Sequence, residues 1–589
     1  MKDFLKFTLA TITGLIVTSV ILFFISIVVF FSIASSSESE TEVSKNSVMM
    51  LDLKGTLEER SQNNPFDILM KDDNAKIGLD DILSSIQKAK ENDNIKGIYI
   101  QAGSFAGGYA SMEEIRKALL DFKKSGKFIV AYGDQYSQRL YYLASVADKV
   151  ILNPKGAIGW MGLASNPIYF KDLLSKIGVE MQVFRVGTYK SAVEPFISNE
   201  MSAANREQIT TILDSNWGQI LGDISASRHI STDSLNAYAD RMLLFYPAEE
   251  SVKCGLADTL MYKNDIRDYL KKIAGLNKKD KMPILGLKDM VSVKKNTPKD
   301  KSGNIIAVYY AYGEIDGGSS NDGFDDGINS EKVIRDLRKL KDDDDVKAVV
   351  LRVNSPGGSA YGSEQIWYAV KELKAKKPVI VSMGDYAASG GYYISCEADS
   401  IVAEPTTLTG SIGIFGMIPN VKGLTDKLGL SFDAVKTNTY SDFGMMGRPM
   451  NNGEKSLMQM TINRGYETFV GRCAEGRGMS TDAIKKIAEG RVWTGTTAKK
   501  LGLVDVLGGL DKAVDIAIYK AGVKAYTVMS YPEKESFFTK LLDTNPGNYV
   551  RAHILQGRAG ELYQQFNLLN HFEDCDRVQA RLPFELNLN

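Results

Sequence analysis

The 589-residue sequence predicts two tandem, homologous α/β domains behind an N-terminal transmembrane helix. Three observations carry that expectation. An uncharged run lies near the N-terminus, a long internal repeat recurs at a fixed spacing, and short apolar runs alternate with helical periodicity inside each repeat. The length also exceeds what one hydrophobic core normally supports. With 44% hydrophobic and 24% charged residues, the chain has a globular composition. Seventy-one basic residues face 72 acidic ones, so no basic domain points to a nucleic-acid partner.

Residues 7–33, FTLATITGLIVTSVILFFISIVVFFSI, contain no charged side chain. A bilayer core needs about 20 apolar residues in a helix, whereas a cleaved signal peptide carries an apolar stretch of only about 7–15. The run therefore reads as an uncleaved anchor, although Ser32-Ile33-Ala34 resembles a small-residue cleavage site. Lys2 and Lys6 precede it and Glu38, Glu40 and Glu42 follow it, which sets residues 1–6 in the cytoplasm and the bulk of the chain outside. Residues 34–46 form a linker.

Ile95–Ser191 aligns without a gap on Val346–Asp442, at a constant offset of 251. Between Gly133 and Gly159, eight of 27 positions are identical at that offset, among them Gly133/Gly384, Asp134/Asp385, Tyr141/Tyr392 and Pro154/Pro405. Average composition gives about one or two. Gly255-Leu256-Ala257-Asp258 returns as Gly502-Leu503-Val504-Asp505. The repeat defines domains at 47–275 and 304–530, a lysine-rich linker at 276–303, and an extension at 531–589 without a counterpart. In the second domain, Val346–Val353 and Pro378–Met383 read as buried strands. Glu364–Lys376 has helical periodicity, and a further helix is expected from Ala388 to Cys396. The Asp342–Asp345 run and Asn92-Asp93-Asn94 occupy equivalent places before strands and read as hydrated turns rather than metal sites. Four widely spaced cysteines give no metal-ligand spacing.

The segment Gly384-Asp385-Tyr386-Ala387-Ala388-Ser389-Gly390-Gly391 places a serine between a strand and a helix, where free N–H groups stabilise negative charge. Asn354-Ser355-Pro356-Gly357-Gly358, directly after another strand, offers a second N–H donor for an oxyanion hole. Taken alone, Ser389 could equally cap a helix. The repeat weighs against that reading. Ser389 corresponds to Gln138, and Gly390-Gly391 to Arg139-Leu140, so the first half keeps the framework without the nucleophile. None of the three histidines falls in a repeated motif, which disfavours a Ser-His-Asp triad. A neutral lysine in a low-dielectric pocket is the recognised alternative base. Lys190 lies in the apolar segment Val186–Phe196, and its counterpart is Ser441. One half thus has the lysine without the serine and the other the serine without the lysine, so a site shared between the halves is expected.

The motifs Tyr189-Lys190-Ser191-Ala192-Val193-Glu194-Pro195-Phe196, Ser355-Pro356-Gly357-Gly358, Asp385–Gly391 and Thr409-Gly410-Ser411-Ile412-Gly413 resemble those of the signal peptide peptidase A family in its long, duplicated (protease IV) form. The resemblance covers nearly the whole chain to about residue 530. It implies a fold like that of Clp-type proteases and crotonases, with Ser389 as nucleophile and Lys190 as general base. It further implies that Ser411 orients the lysine, that the N–H groups of Gly358 and Gly390 form the oxyanion hole, and that no cofactor or metal is needed. By the same resemblance, the chain is expected to form a homotetramer at the bacterial inner membrane, with its catalytic domains on the periplasmic side. Its substrates would be hydrophobic peptides, in particular signal peptides left after secretion. Two rival readings are a crotonase-like enzyme acting on coenzyme A thioesters, on which the anchor is hard to explain, and a non-catalytic membrane scaffold.

Overall fold

Near the N-terminus, one helix, α1, runs from Lys2 to Ser36. Its segment Lys6–Ile25 has a mean hydropathy of 2.3 and is not buried among the described residues. At 1.5 Å per residue, these 20 residues extend about 30 Å, the thickness of a bilayer core. The computed structural model describes residues 2–36, 40–61, 76–294, 302–316, 327–534 and 578–582. Residues 295–301 of the linker, Cys575, His553 and His571 lie outside the described residues.

The first half contributes β1 (Ser47–Glu58), β2 (Lys76–Gly78), β3 (Ile95–Ala106), β4 (Phe128–Tyr136), β5 (Lys149–Ile158), β6 (Glu180–Arg185), β7 (Thr259–Leu260) and β8 (Ile284–Leu285). The second contributes β9 (Ile305–Tyr312), β10 (Val346–Ser355), β11 (Gly357–Ser359), β12 (Val379–Ala388), β13 (Ser400–Ala403), β14 (Leu408–Gly410), β15 (Phe415–Asn420), β16 (Val492–Thr494), β17 (Val506–Leu507) and β18 (Thr527–Tyr531). A short strand near the C-terminus, β19, spans Val578–Arg581.

Each half builds its own sheet. In the first, the order is β2-β1-β3-β4-β5-β7, with β8 beside β1 and every pairing parallel. In the second, the order is β16-β14-β12-β10-β9-β18, parallel except for β14 against β16, with β13 on β12 and β17 on β13. Parallel sheets need helices on both faces, which is why their strands read as continuous apolar runs. Val349, Val350, Leu351 and Val353 are all fully buried. The repeat is visible as register: β3 and β10, β4 and β12, β5 and β13 each begin 251 residues apart. Its matched aspartates are structural. Asp258 Oδ2 accepts from the Val150 N–H, and Asp505 Oδ2 from the Ile401 N–H, both at 2.7 Å.

Local differences from the sequence expectations have identifiable causes. The helix expected over Glu364–Lys376 runs from Ala360 to Lys374, because the Ser359 hydroxyl accepts from the Gly362 N–H at 3.0 Å and caps it earlier. The strand expected over Pro378–Met383 continues as β12 to Ala388, and the following helix spans only Gly390–Ser395. Ser389 makes the corner between them.

A third, small sheet joins the halves in the order β11-β19-β15-β6. In it β6 of the first half pairs antiparallel with β15 of the second, from Glu180↔Asn420 to Arg185↔Phe415. A buried charge cluster ties the halves together elsewhere. Arg352 on β10 bonds to Glu59 at 2.9 and 3.1 Å and to Glu114 at 2.6 Å, both from the first half. Asp385 accepts from the N–H and hydroxyl of Ser111 at 2.9 and 2.6 Å.

Candidate active site

Ser389 sits at φ 56°, ψ −113°, a region that non-glycine residues adopt only at a cost. Its own N–H donates to the Gly410 carbonyl at 2.8 Å, which holds the corner against that cost. The side chain is fully buried. The next residue, Gly390, opens the helix, where backbone N–H groups have no partner inside the helix.

Lys190 arrives from the other half. Antiparallel pairing carries β6 onto the second domain, and the chain then turns at Gly187, whose φ is 101°. A Cβ there would come within 2.4 Å of the Glu489 carbonyl oxygen, so the turn admits only glycine. The Tyr189 N–H donates to the same carbonyl at 3.0 Å. On the far side Gln208 grips both neighbours of the lysine, donating to the Tyr189 carbonyl at 3.2 Å and to Ser191 Oγ at 3.1 Å. Its Oε1 accepts from the Val492 N–H of β16 at 3.2 Å, tying the lysine loop to the second domain. Gly490 packs directly on the lysine stem, for a Cβ on it would stand 2.6 Å from Lys190 Cβ.

The structure thereby brings the sequence-predicted residues into one cluster within a single chain. Lys190 Nζ lies 2.8 Å from Ser389 Oγ, 3.0 Å from Ser411 Oγ and 3.1 Å from the Ser411 carbonyl oxygen. All three residues are fully buried. Burial holds the Lys190 amine well below the usual lysine range, with no charged neighbour contributing. Ser411, at φ 50°, is fixed by its N–H, which donates to the Arg491 carbonyl at 2.7 Å.

Gly358 lies on β11 at φ 152°, where a Cβ would meet the Ile315 carbonyl oxygen at 2.1 Å. Gly357, at φ 104°, packs against Gly390: a Cβ on it would stand 2.8 Å from the Gly390 nitrogen. The two glycine loops named from sequence therefore adjoin one another beside Ser389. The counterparts of the two key residues are built differently. Gln138 accepts from the N–H groups of Met161 and Gly162 at 3.0 and 2.9 Å and so fills its pocket with structural bonds. Ser441 is exposed and bonds locally, to Asn438 and Thr437.

Sequence reasoning did not single out Gln208, Glu489, Asp385 as an interdomain contact, or β19. Gln208 and Glu489 sit in segments with no motif, and their importance depends on which elements pack together. Asp385 carried one sequence signal, its identity with the repeat counterpart Asp134, which in the structure bonds within its own domain, to the Tyr132 hydroxyl at 2.7 Å.

With this geometry in place, two stretches of the chain, residues 121–277 and 371–524, match the family model described as peptidase family S49. The chain belongs to peptidase family S49. It is similar to Protease 4 of Salmonella typhi, 41% identical over 485 residues that cover 81% of this chain and 77% of that protein. Similarity to Protease 4 of Haemophilus influenzae is 33% over 607 residues, covering 98% of each. The chloroplastic serine protease SPPA of Arabidopsis thaliana is 31% identical over 510 residues, 86% of this chain and 74% of that one. ClpP1 from Listeria monocytogenes aligns with 35% of this chain and 94% of its own at 17% identity, with a TM-score of 0.22, too low to bear on the fold. This family member is a serine peptidase, and its matched stretches fall one in each half of the repeat.

Proposed function

We propose that this S49 peptidase works through a Ser389–Lys190 dyad assembled from its two halves. The observation that carries the reading is the 2.8 Å approach of a fully buried lysine amine to the serine hydroxyl, with burial favouring the neutral form of that amine. A neutral amine accepts the Ser389 proton as Oγ attacks a peptide carbonyl. The N–H groups of Gly358 and Gly390 stabilise the oxyanion, an effect worth a few kcal/mol. Protonated Lys190 then gives its proton to the leaving amine. Water, deprotonated by the same lysine, hydrolyses the acyl-enzyme and regenerates Ser389. Ser411 Oγ, 3.0 Å from Nζ, keeps the amine aimed through both steps.

Helix α1 supports a single-pass anchor in a bacterial inner membrane, with both domains on the periplasmic side as the flanking charges indicate. Substrates on this reading are hydrophobic peptides left at the membrane, signal peptides among them. Assembly as a homotetramer fits the exposed apolar stretch that includes Leu428, Leu430, Phe432 and Val435.

The deciding experiment measures hydrolysis of a chromogenic hydrophobic peptide ester by wild type, Ser389→Ala and Lys190→Ala in detergent. Turnover by wild type and near-complete loss in each folded variant is the expected result. Full activity in Ser389→Ala would remove the nucleophile assignment. Light scattering of the detergent-solubilised protein tests the tetramer, and a monomer would dismiss it.

A further inference from the structure

Arg491 touches the chain on both sides of the Lys190 amine, although no step of the mechanism uses it. Its carbonyl oxygen accepts from the N–H of Ser411, the residue whose hydroxyl and carbonyl both lie against Nζ. Its side chain reaches toward the other half. The guanidinium carbon stands 4.5 Å from the centroid of the Tyr189 ring and 4.5 Å from that of Trp493, so the cation contacts one ring from each half. Nη1 donates to the Tyr189 hydroxyl at 3.0 Å, and Nη2 to Glu207 Oε1 at 2.8 Å. Tyr189 directly precedes Lys190. Trp493 lies on β16, where it pairs with Thr409, and its indole N–H donates to the Ile487 carbonyl at 2.9 Å.

These contacts are of a kind that sets orientation. A planar guanidinium can lie flat on a ring while its edge donates hydrogen bonds, and the attraction grows where water is excluded. The Arg491 side chain is 20% exposed, whereas that of its ionic partner Glu207 is 56% exposed. Solvent therefore weakens the ion pair, and the two rings with the Tyr189 bond form the stronger link. Nε is buried with no hydrogen-bond partner among the described residues, so the guanidinium sits where the rings place it rather than where all its donors would be met.

The repeat supplies an independent observation. At the offset of 247 that relates Gly255 to Gly502, Arg491 corresponds to Leu244 and Trp493 to Tyr246. The backbone agrees, since Met242 and Glu489, matched at that offset, both hold a positive φ, 53° and 54°. The first half thus keeps the turn and an aromatic residue, with an apolar side chain in place of the cation. Its counterpart of Ser389 is Gln138. At this position the cation occurs in the half that carries the serine and not in the other.

We propose that Arg491 is a positioning residue for the reaction: held between Tyr189 and Trp493, it fixes Lys190 against Ser411 and Ser389 across the seam between the halves. The proposal rests on the Ser–Lys dyad reading and adds the device that keeps the dyad in register. Without the guanidinium, Tyr189 keeps its backbone bonds but its ring is no longer tied to β16. A shift of about 1 Å in a reacting group can cost on the order of 100-fold in rate.

The test uses the full chain in detergent with a hydrophobic peptide ester. Arg491→Met, which keeps the aliphatic stem, should lower kcat about 10–100-fold and leave KM within about twofold. Arg491→Lys keeps the charge without the planar stack and should stay at least about fivefold below wild type in kcat. Tyr189→Leu should show a similar loss. The double variant Arg491→Met/Tyr189→Leu should lose no more than about threefold beyond the worse single, because both changes remove one contact. The acid limb of the pH–rate profile should move to higher pH in Arg491→Met, since an amine held less closely is better hydrated and more easily protonated. Tyr189 and Glu207 are the titratable groups bonded to the guanidinium, and no charged neighbour adds to the effect of burial on the amine. A residue that only stabilises the fold would leave that limb in place. If Arg491→Met fails to fold, Arg491→Lys and Tyr189→Leu carry the same comparison. A kcat within twofold of wild type in the Arg491 variants, losses that multiply in the double variant, or an unmoved acid limb would overturn the proposal. Turnover surviving in Lys190→Ala would remove the dyad and the positioning role with it. Inactive Lys190→Ala beside Arg491→Met at the wild-type rate would remove the positioning role alone.

Discussion

Arg352→Met offers the sharpest test of how the two halves are held together. Arg352 is 1% exposed and faces two carboxylates of the other half, Glu59 and Glu114, which are 4% and 5% exposed. It also donates to Ser382 Oγ at 2.9 Å. Methionine keeps much of the aliphatic stem but leaves two buried carboxylates without their cation. Removing one partner of a buried ion pair costs about 3–5 kcal/mol, or two to three and a half orders of magnitude in the folded-to-unfolded ratio. The loss falls on the interface that brings Lys190 to Ser389, so kcat should fall with stability. Pulse proteolysis in urea, which does not require the whole chain to unfold in one step, measures the effect. The triple variant Arg352→Met/Glu59→Gln/Glu114→Gln should recover most of the loss. Acid should help the single variant. Burial, with the neighbouring Glu59, pushes the Glu114 carboxyl up while Arg352 and the Leu510 N–H draw it down, and without the arginine the upward push dominates more strongly. The folded chain then holds a proton that the unfolded chain has released. The penalty is therefore smallest below the unfolded carboxylate range and grows as pH rises through the folded value. A loss under about 1 kcal/mol, or a deficit that deepens on acidification, would refute the reasoning.

Other outcomes follow from the site. On the proposed dyad, peptide hydrolysis should fall as pH drops, because there Lys190 acts only as the neutral amine and burial sets its folded value low. Lys190→Arg, always charged, should show no recovery at high pH in a pH–rate profile. Gln208→Leu removes the brace on both sides of Lys190 and its link to β16, and should lower kcat about 10–100-fold with little change in KM. A kcat within twofold of wild type would release Gln208 from a positioning role. Gly358→Ala meets backbone at 2.1 Å and a φ of 152°, so it should cost at least about 100-fold in kcat by displacing the proposed oxyanion donor. Deleting residues 2–36 should move the protein from the carbonate-resistant membrane fraction to the soluble one, and continued sedimentation with membranes would count against α1 as the anchor.

Much of this protein was legible in one dimension. Duplication preserves spacing, so a constant offset of 251 exposes both domains and their shared framework of strands. The same alignment shows what each half lost, and that reciprocal loss pairs Ser389 with Lys190 although 199 residues separate them. The apolar N-terminal helix is legible because hydropathy over a single helix is a local property. Other features depend on neighbours that no local pattern encodes. Arg352 looks like an ordinary strand residue until packing sets it between Glu59 and Glu114. Gln208 becomes a brace only because its helix lies under the lysine loop, and Gly490 matters only through the lysine stem beside it. β19 has no repeat counterpart and is only four residues long, so its place against the glycine loops came from the fold alone. Periodicity and repeats record how a chain makes its own elements. Only the tertiary structure, where distant segments exclude water from one another, decides which buried charges are paired and which strand edges are filled.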